Sequence, residues 1–187
     1  MPASGMTLVI GLVILGISLA SFAIWFQRHQ TRRCLEFYGS SVARRIQTAP
    51  RVELWEPLSG NTAGNTVGNS DGEGELAPRS GAALRFDVSR ARGLVHLRRG
   101  LVEDANLDWA KRAASGPWNA ALAFYDRPDD AEPAAVLAFD FDAAGGTLTL
   151  VGGGKPVGLG RLEKGLRAWL TAARAESGPA PEANRAF

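Results

Sequence analysis

The sequence predicts an α+β fold, with an amino-terminal transmembrane helix followed by a small antiparallel sheet (about five strands) and two packed helices. Three observations carry that reading. An uncharged apolar block fills residues 6–26. Beyond it, short segments alternate apolar and polar residues, the period of a half-buried strand. Two later stretches place leucines at three- and four-residue spacing, the period of a helix with one buried face. The chain has 187 residues, 45% of them apolar, which fits one folded domain with extensions and excludes a wholly disordered chain. Its single cysteine excludes a disulfide scaffold, and one Cys with two His falls short of the four ligands of a Cys/His zinc site.

Residues 1–5 are a short tail. The block 6–26, MTLVIGLVILGISLASFAIWF, has 21 residues, and roughly 20 are enough to cross a hydrocarbon core of about 30 Å. Trp25 sits where an aromatic ring meets the lipid–water boundary, and Arg28, Arg32 and Arg33 follow as membrane-interface residues. A signal peptide cut after Ala23 is the alternative; the missing basic residue ahead of the block, and its length, favour an anchor. No Lys or Arg precedes the block and several follow it. The expectation is therefore a single-pass protein of the cell inner (cytoplasmic) membrane, with its carboxyl-terminal domain in the cytoplasm.

Charge is unevenly placed. Residues 27–51 hold six Arg and one acid, net +5, whereas 52–187 hold 15 Lys or Arg and 18 acids, net −3. The partners this predicts are anionic lipid headgroups at the basic collar and a protein partner for the domain. No basic stripe or binding motif points to nucleic acid. The collar, 27–50, reads as a juxtamembrane helix: Leu35, Tyr38, Val42 and Ile46 share one face. A break is expected near Gly39-Ser40-Ser41, and Pro50 stops the helix. Cys34 is read as a quiet, partly buried thiol rather than an acylation site.

The α+β domain occupies 51–175. VELWEPL, 52–58, is a strand with Val52 and Leu54 on one face. The polar insert 59–80 carries a Gly-Asn near-repeat and is read as a disordered loop. Its Asn69, Asp71, Glu73 and Glu75 lack the spacing of a calcium loop. ALRFDV, 83–88, alternates and pairs with the first strand as a hairpin around the insert. Leu94, Leu97 and Leu101 mark a helix, with the Arg98 stem beside them and His96 off the stripe. WNAALAFY, AVLAFDF and TLTLV then read as a meander, with Trp118, Ala120, Leu122 and Phe124 sharing a face and Gly145-Gly146 making the last turn. Leu162, Leu166, Trp169 and Leu170 mark a closing helix over about 160–173, and 176–187 is a flexible tail.

The candidate chemistry is sparse. Asp140 and Asp142 sit two apart on a strand and could share a divalent metal, but alternation with the inward Phe139 and Phe141 predicts solvated acids anyway. LVGGGKPVGLG looks like a phosphate loop, yet Pro156 follows Lys155 where Ser or Thr is needed, and Val157 replaces the last glycine of a dinucleotide loop. Lys155 and Arg161 remain weak anion-site candidates. His96 has no nucleophile or orienting partner near it in sequence, so it reads as a surface histidine. No catalytic residues, cofactors or metal are expected. RCLEFYG, GLVHLRRGLVEDA and FDFD, behind the apolar block, make the chain similar to small single-pass membrane proteins of unknown function from high-GC, planctomycete-like bacteria. That resemblance implies no activity and no site residues. The expected function is a non-enzymatic binding domain tethered at the cytoplasmic face. The alternatives are a metal-dependent enzyme using Asp140 and Asp142, and an exported domain behind a signal sequence.

Overall fold

The computed structural model describes residues 3–57, 83–110, 118–141, 145–153 and 155–177, and in its first helix omits the side chains of 3–5, 7, 8, 24 and 26–29. The insert 59–80, with its four candidate calcium ligands, lies outside the described residues, as does the tail beyond 177.

Helix α1 (Ala3–Gln30) is apolar around its whole circumference, so no face is set aside for a core. Its described large apolar side chains, from Met6 to Trp25, are 50% to 72% exposed. Among the described residues, no helix is long and apolar enough to cross a membrane. This corrects the transmembrane expectation over 6–26. The single-pass placement in the inner membrane, and the cytoplasmic orientation derived from it, are corrected with it.

Helix α2 (Arg32–Thr48) kinks at Gly39, whose φ of 74° and ψ of 156° leave the helical region. Only glycine adopts that backbone without strain. The expected break near Gly39-Ser40-Ser41 is therefore real, and it changes the phase of the buried face. Cys34 and Tyr38 are buried before the kink, Ala43 and Ile46 after it, while Leu35 is 44% exposed. A single stripe through Leu35, Tyr38, Val42 and Ile46 assumes a straight helix, and so misplaces Leu35. The chain leaves α2 through Ala49 in extended geometry, as the following Pro50 requires.

The sheet has six antiparallel strands in the order β2-β1-β3-β4-β5-β6. They are β1 (Arg51–Pro57), β2 (Ala83–Asp87), β3 (Ala120–Tyr125), β4 (Ala135–Asp140), β5 (Thr147–Leu150) and β6 (Val157–Gly158). The sixth is a two-residue strand made by Val157 and Gly158 after the glycine turn, too short to leave an alternation in the sequence. Helices α2, α3 (Leu94–Leu101) and α4 (Leu162–Glu176) pack on one face. Val52, Leu54, Leu122, Phe124, Leu137, Phe139 and Leu148 meet Ile46, Leu97, Leu101, Leu166 and Leu170 there. The opposite face gathers Trp55, Trp118, Ala121, Ala123, Tyr125, Val136 and Ala138, with no helix residue among them. Trp118 belongs to this second face, not to the face of Ala120. Asn119 breaks the alternation: its N–H donates to the Phe139 carbonyl and its Oδ1 accepts from the Phe141 N–H, which turns the chain before β3 begins.

Asp108 and Gly158 exchange backbone hydrogen bonds of 2.8 and 3.2 Å, clamping the loop after α3 onto β6. Gly160 follows with φ +52°, and a Cβ added there would lie 2.9 Å from the Asn106 carbonyl oxygen and 3.1 Å from the Asp108 nitrogen. Both obstacles are backbone. Gly160→Ala is expected to cost about 2 kcal/mol, from the left-handed conformation and the contact together. A thermal melt checks this; an unchanged midpoint would show that the loop yields freely.

Candidate functional site

On the second face of the sheet, β1 presents Arg51, Glu53 and Trp55 in a row, because residues two apart share a side. Register places Arg51 opposite Tyr125 and Glu53 opposite Ala123, so the small alanine leaves room for the carboxylate to lie along the sheet. Glu53 is 4% exposed. One of its oxygens accepts from the Arg51 guanidinium twice, Nε at 3.1 Å and a second nitrogen beside it. The other accepts from Trp55 Nε1 at 2.9 Å and the Tyr125 hydroxyl at 2.7 Å. Burial alone would push the carboxyl up, but the donors from Tyr125, Trp55 and Arg51 outweigh it and hold Glu53 below the usual carboxylate range. Tyr125 is pushed up, by burial first and then by its bond to Glu53. Arg51 also lies 4.0 Å over the Tyr125 ring and donates to the carbonyls of Pro128 and Asp130, tying down the β3–β4 turn.

With all four acceptor positions filled, Glu53 has nothing left to offer a substrate proton. The cluster positions β1, β3 and a turn against one another.

A second, partly exposed polar arrangement ties helices together. Asp104 lies in the turn after α3, and its carboxylate accepts from the backbone N–H of Arg33 at 2.9 Å and of Cys34 at 2.7 Å. It caps the first turn of α2 from 70 residues away, where the helix dipole favours a negative charge. At the other end of α2, Arg98 donates to the carbonyls of Gln47 and Ala49. The head of Arg98 closes the carboxyl end of α2. Burial pulls its pKa below the ordinary arginine value.

Cys34 is fully buried, its Sγ 3.8 Å from the Leu101 carbonyl. Burial, then the nearby Asp104, pushes the thiol far up, so it stays protonated and is no nucleophile. A cavity of about 180 Å³ opens at the α2 kink, lined in part by Cys34, Ser40, Arg44, Gln47 and Val102.

The residues singled out in the sequence do not converge. Trp25 is exposed on α1, its ring 5.9 Å from that of Phe22, and the Arg28 side chain lies outside the description. Arg32 pairs with Glu36 at 3.1 Å on the surface, and Arg33 contributes its backbone N–H to Asp104. Lys155 is exposed in the β5–β6 turn and Arg161 stands at the N-cap of α4 without a side-chain cap bond. β6 separates the glycine turn from α4, so the loop does not deliver its amides to a helix start. Asp140 ends β4 opposite Thr147 and is 8% exposed, so it is buried where alternation predicted water. Asp142 lies outside the described residues. His96 is exposed on α3, off the buried stripe.

Glu53, Tyr125, Asp104 and the head of Arg98 were not found from the sequence. The Arg-x-Glu-x-Trp row of β1 was its one local signal; the partners across the sheet need the register. Among the described residues no three His, Cys, Asp or Glu stand together in a way that could hold a metal. Comparison with protein families, curated proteins and solved structures finds no match to this chain.

Proposed function

We propose that this chain is a non-enzymatic binding module for a protein partner. The observation that carries the reading is helix α1, whose described large apolar side chains are half or more exposed on every side. An apolar surface of this extent marks a place that another molecule covers. The remainder of the chain supports it. Three of the domain's ionisable groups serve its architecture: Glu53 is saturated by donors, Asp104 is spent on a helix cap and the buried Cys34 thiol is held protonated.

Two measurements test this. A photo-reactive residue at Leu15, in the chain expressed in its native cell, is expected to give one discrete protein adduct; reaction with solvent alone would remove α1 as a contact surface. Calorimetry with magnesium, manganese and calcium is expected to show no saturable heat. Saturable binding abolished by Asp140→Asn would instead favour a metal-dependent enzyme.

A further inference from the structure

The sheet has one long outer edge, β2, with β1 on its inner side and no described strand beyond it. Hydrogen-bond parity fixes which of its backbone groups face outward. The Val88 N–H donates to the Val52 carbonyl at 2.9 Å, and the register continues Leu54 with Phe86 and Glu56 with Leu84. In an antiparallel ladder such pairs recur every second residue, so 84, 86 and the Val88 N–H turn their backbone groups toward β1, while the Val88 carbonyl accepts from the Ala91 N–H. Ala83, Arg85 and Asp87 turn theirs outward. An edge of this kind is a template for another strand.

We propose that the chain self-associates by antiparallel pairing of β2 with the β2 of a second copy, in the register that sets Arg85 opposite the partner's Asp87. Parity and charge select this register. Only the outward residues can form hydrogen-bonded pairs, so 83, 85 and 87 must face one another. A twofold axis at Arg85 opposes guanidinium to guanidinium, and one at Asp87 opposes carboxylate to carboxylate; both are unfavourable. An axis at Leu84 pairs Arg85 with alanine. An axis at Phe86 pairs Arg85 with the partner's Asp87 twice, by symmetry. On the helix-facing side it sets Phe86 against Phe86 and Leu84 against Val88. Leu84 is 43% exposed in the single chain, and this pairing gives it an apolar neighbour. The contact is isologous and closes at two copies. Arg85 already lies 4.7 Å over the Trp55 ring, which holds its side chain on the second face, the side that Asp87 shares.

The inference rests on the binding-module reading only in naming a protein as the partner. Its test is sedimentation velocity on the full chain, with circular dichroism to show that each variant folds. The wild type is expected to be a dimer. R85D and D87R, each of which opposes like charges at two places, are expected to weaken it about tenfold or more, and the double exchange R85D/D87R to restore it. A monomeric wild type, an assembly that neither single change weakens, or a folded double variant that stays weak would overturn the pairing. Should any variant fail to fold, amide exchange on the wild type decides: the Arg85 and Asp87 amides are expected to gain protection as concentration rises, and no gain would overturn the pairing. A monomer that takes up no metal defeats the strand pairing and leaves the binding-module reading standing. Saturable metal uptake defeats that reading, whatever the assembly state.

Discussion

Replacing Glu53 with alanine is expected to destabilise the protein by about 3–5 kcal/mol, the range for removing one partner of a buried charge pair. The loss comes from what stays behind. The Arg51 guanidinium loses its counter-charge, and the Trp55 N–H and Tyr125 hydroxyl lose their acceptor in a place where water does not easily replace it. Glu53→Gln keeps the shape and one acceptor, so it should cost less than alanine. Tyr125→Phe removes one hydrogen bond and should cost about 1 kcal/mol. The two sites touch, so Glu53→Gln combined with Tyr125→Phe should cost less than their sum. Chemical denaturation of each variant measures these differences. A loss below about 1 kcal/mol for Glu53→Ala would show that the network contributes little beyond what water supplies.

The same network gives stability a pH dependence with a definite sign. Glu53 is held below its ordinary value of 4.5 in the folded chain. Its contribution is complete above that value and is lost as pH falls through the lower folded pKa, because the unfolded chain takes up the proton first. Tyr125 behaves in the opposite direction. Its folded pKa is raised above 10.0, so its contribution is complete below that value and is lost as pH rises past it. Tyr38, raised by burial, and the Cys34 thiol, raised by burial and Asp104, add to the alkaline loss. Glu53→Gln should flatten the acid limb and, by removing the charge that helps raise Tyr125, weaken the alkaline one without abolishing it, since burial also raises Tyr125. An acid limb unchanged by Glu53→Gln would assign the effect to other carboxylates.

Alternation made most of the sheet legible. In Ala120, Leu122 and Phe124, or Leu137 and Phe139, every second residue is apolar, and these are the residues that face the helices. The kink of α2 was legible because Gly39 stands among two serines in an otherwise helical run. Other features depended on information that no local window holds. Glu53 reads as a solvated residue until the register places Tyr125 near it. Asp140 reads as an exposed acid because alternation assumes a wet second face, whereas this face is lined by Trp55, Trp118 and Tyr125. The uncharged block 6–26 has the composition, length and flanks of a membrane segment, and those local features decided that expectation. The cap on α2 lies furthest beyond sequence reasoning, since Asp104 reaches Cys34 across 70 residues of chain.

That cap carries the last large effect. Asp104→Ala is expected to cost about 2 kcal/mol, the upper end for a helix cap, because one carboxylate satisfies two N–H groups and also meets the positive end of the helix dipole. Asp104→Asn keeps one acceptor and loses the charge, so it should cost about half as much. The Trp109 indole donates to the Asp104 backbone carbonyl rather than to the carboxylate, so both variants keep that contact. The effect therefore reads the cap and not the packing of Trp109. It should also be local. Releasing the first turn of α2 frees the segment that buries Cys34, and removing the carboxylate withdraws one of the influences that raise its pKa. Labelling of Cys34 by a thiol reagent under native conditions should therefore be faster in Asp104→Ala than in the wild type. Gly160→Ala, which weakens the fold at the far end of the same loop, serves as the control: a global loss of stability alone would speed labelling equally in both. Equal rates in the two variants, or an Asp104→Ala midpoint no lower than the wild type, would mean that α2 holds its first turn without Asp104.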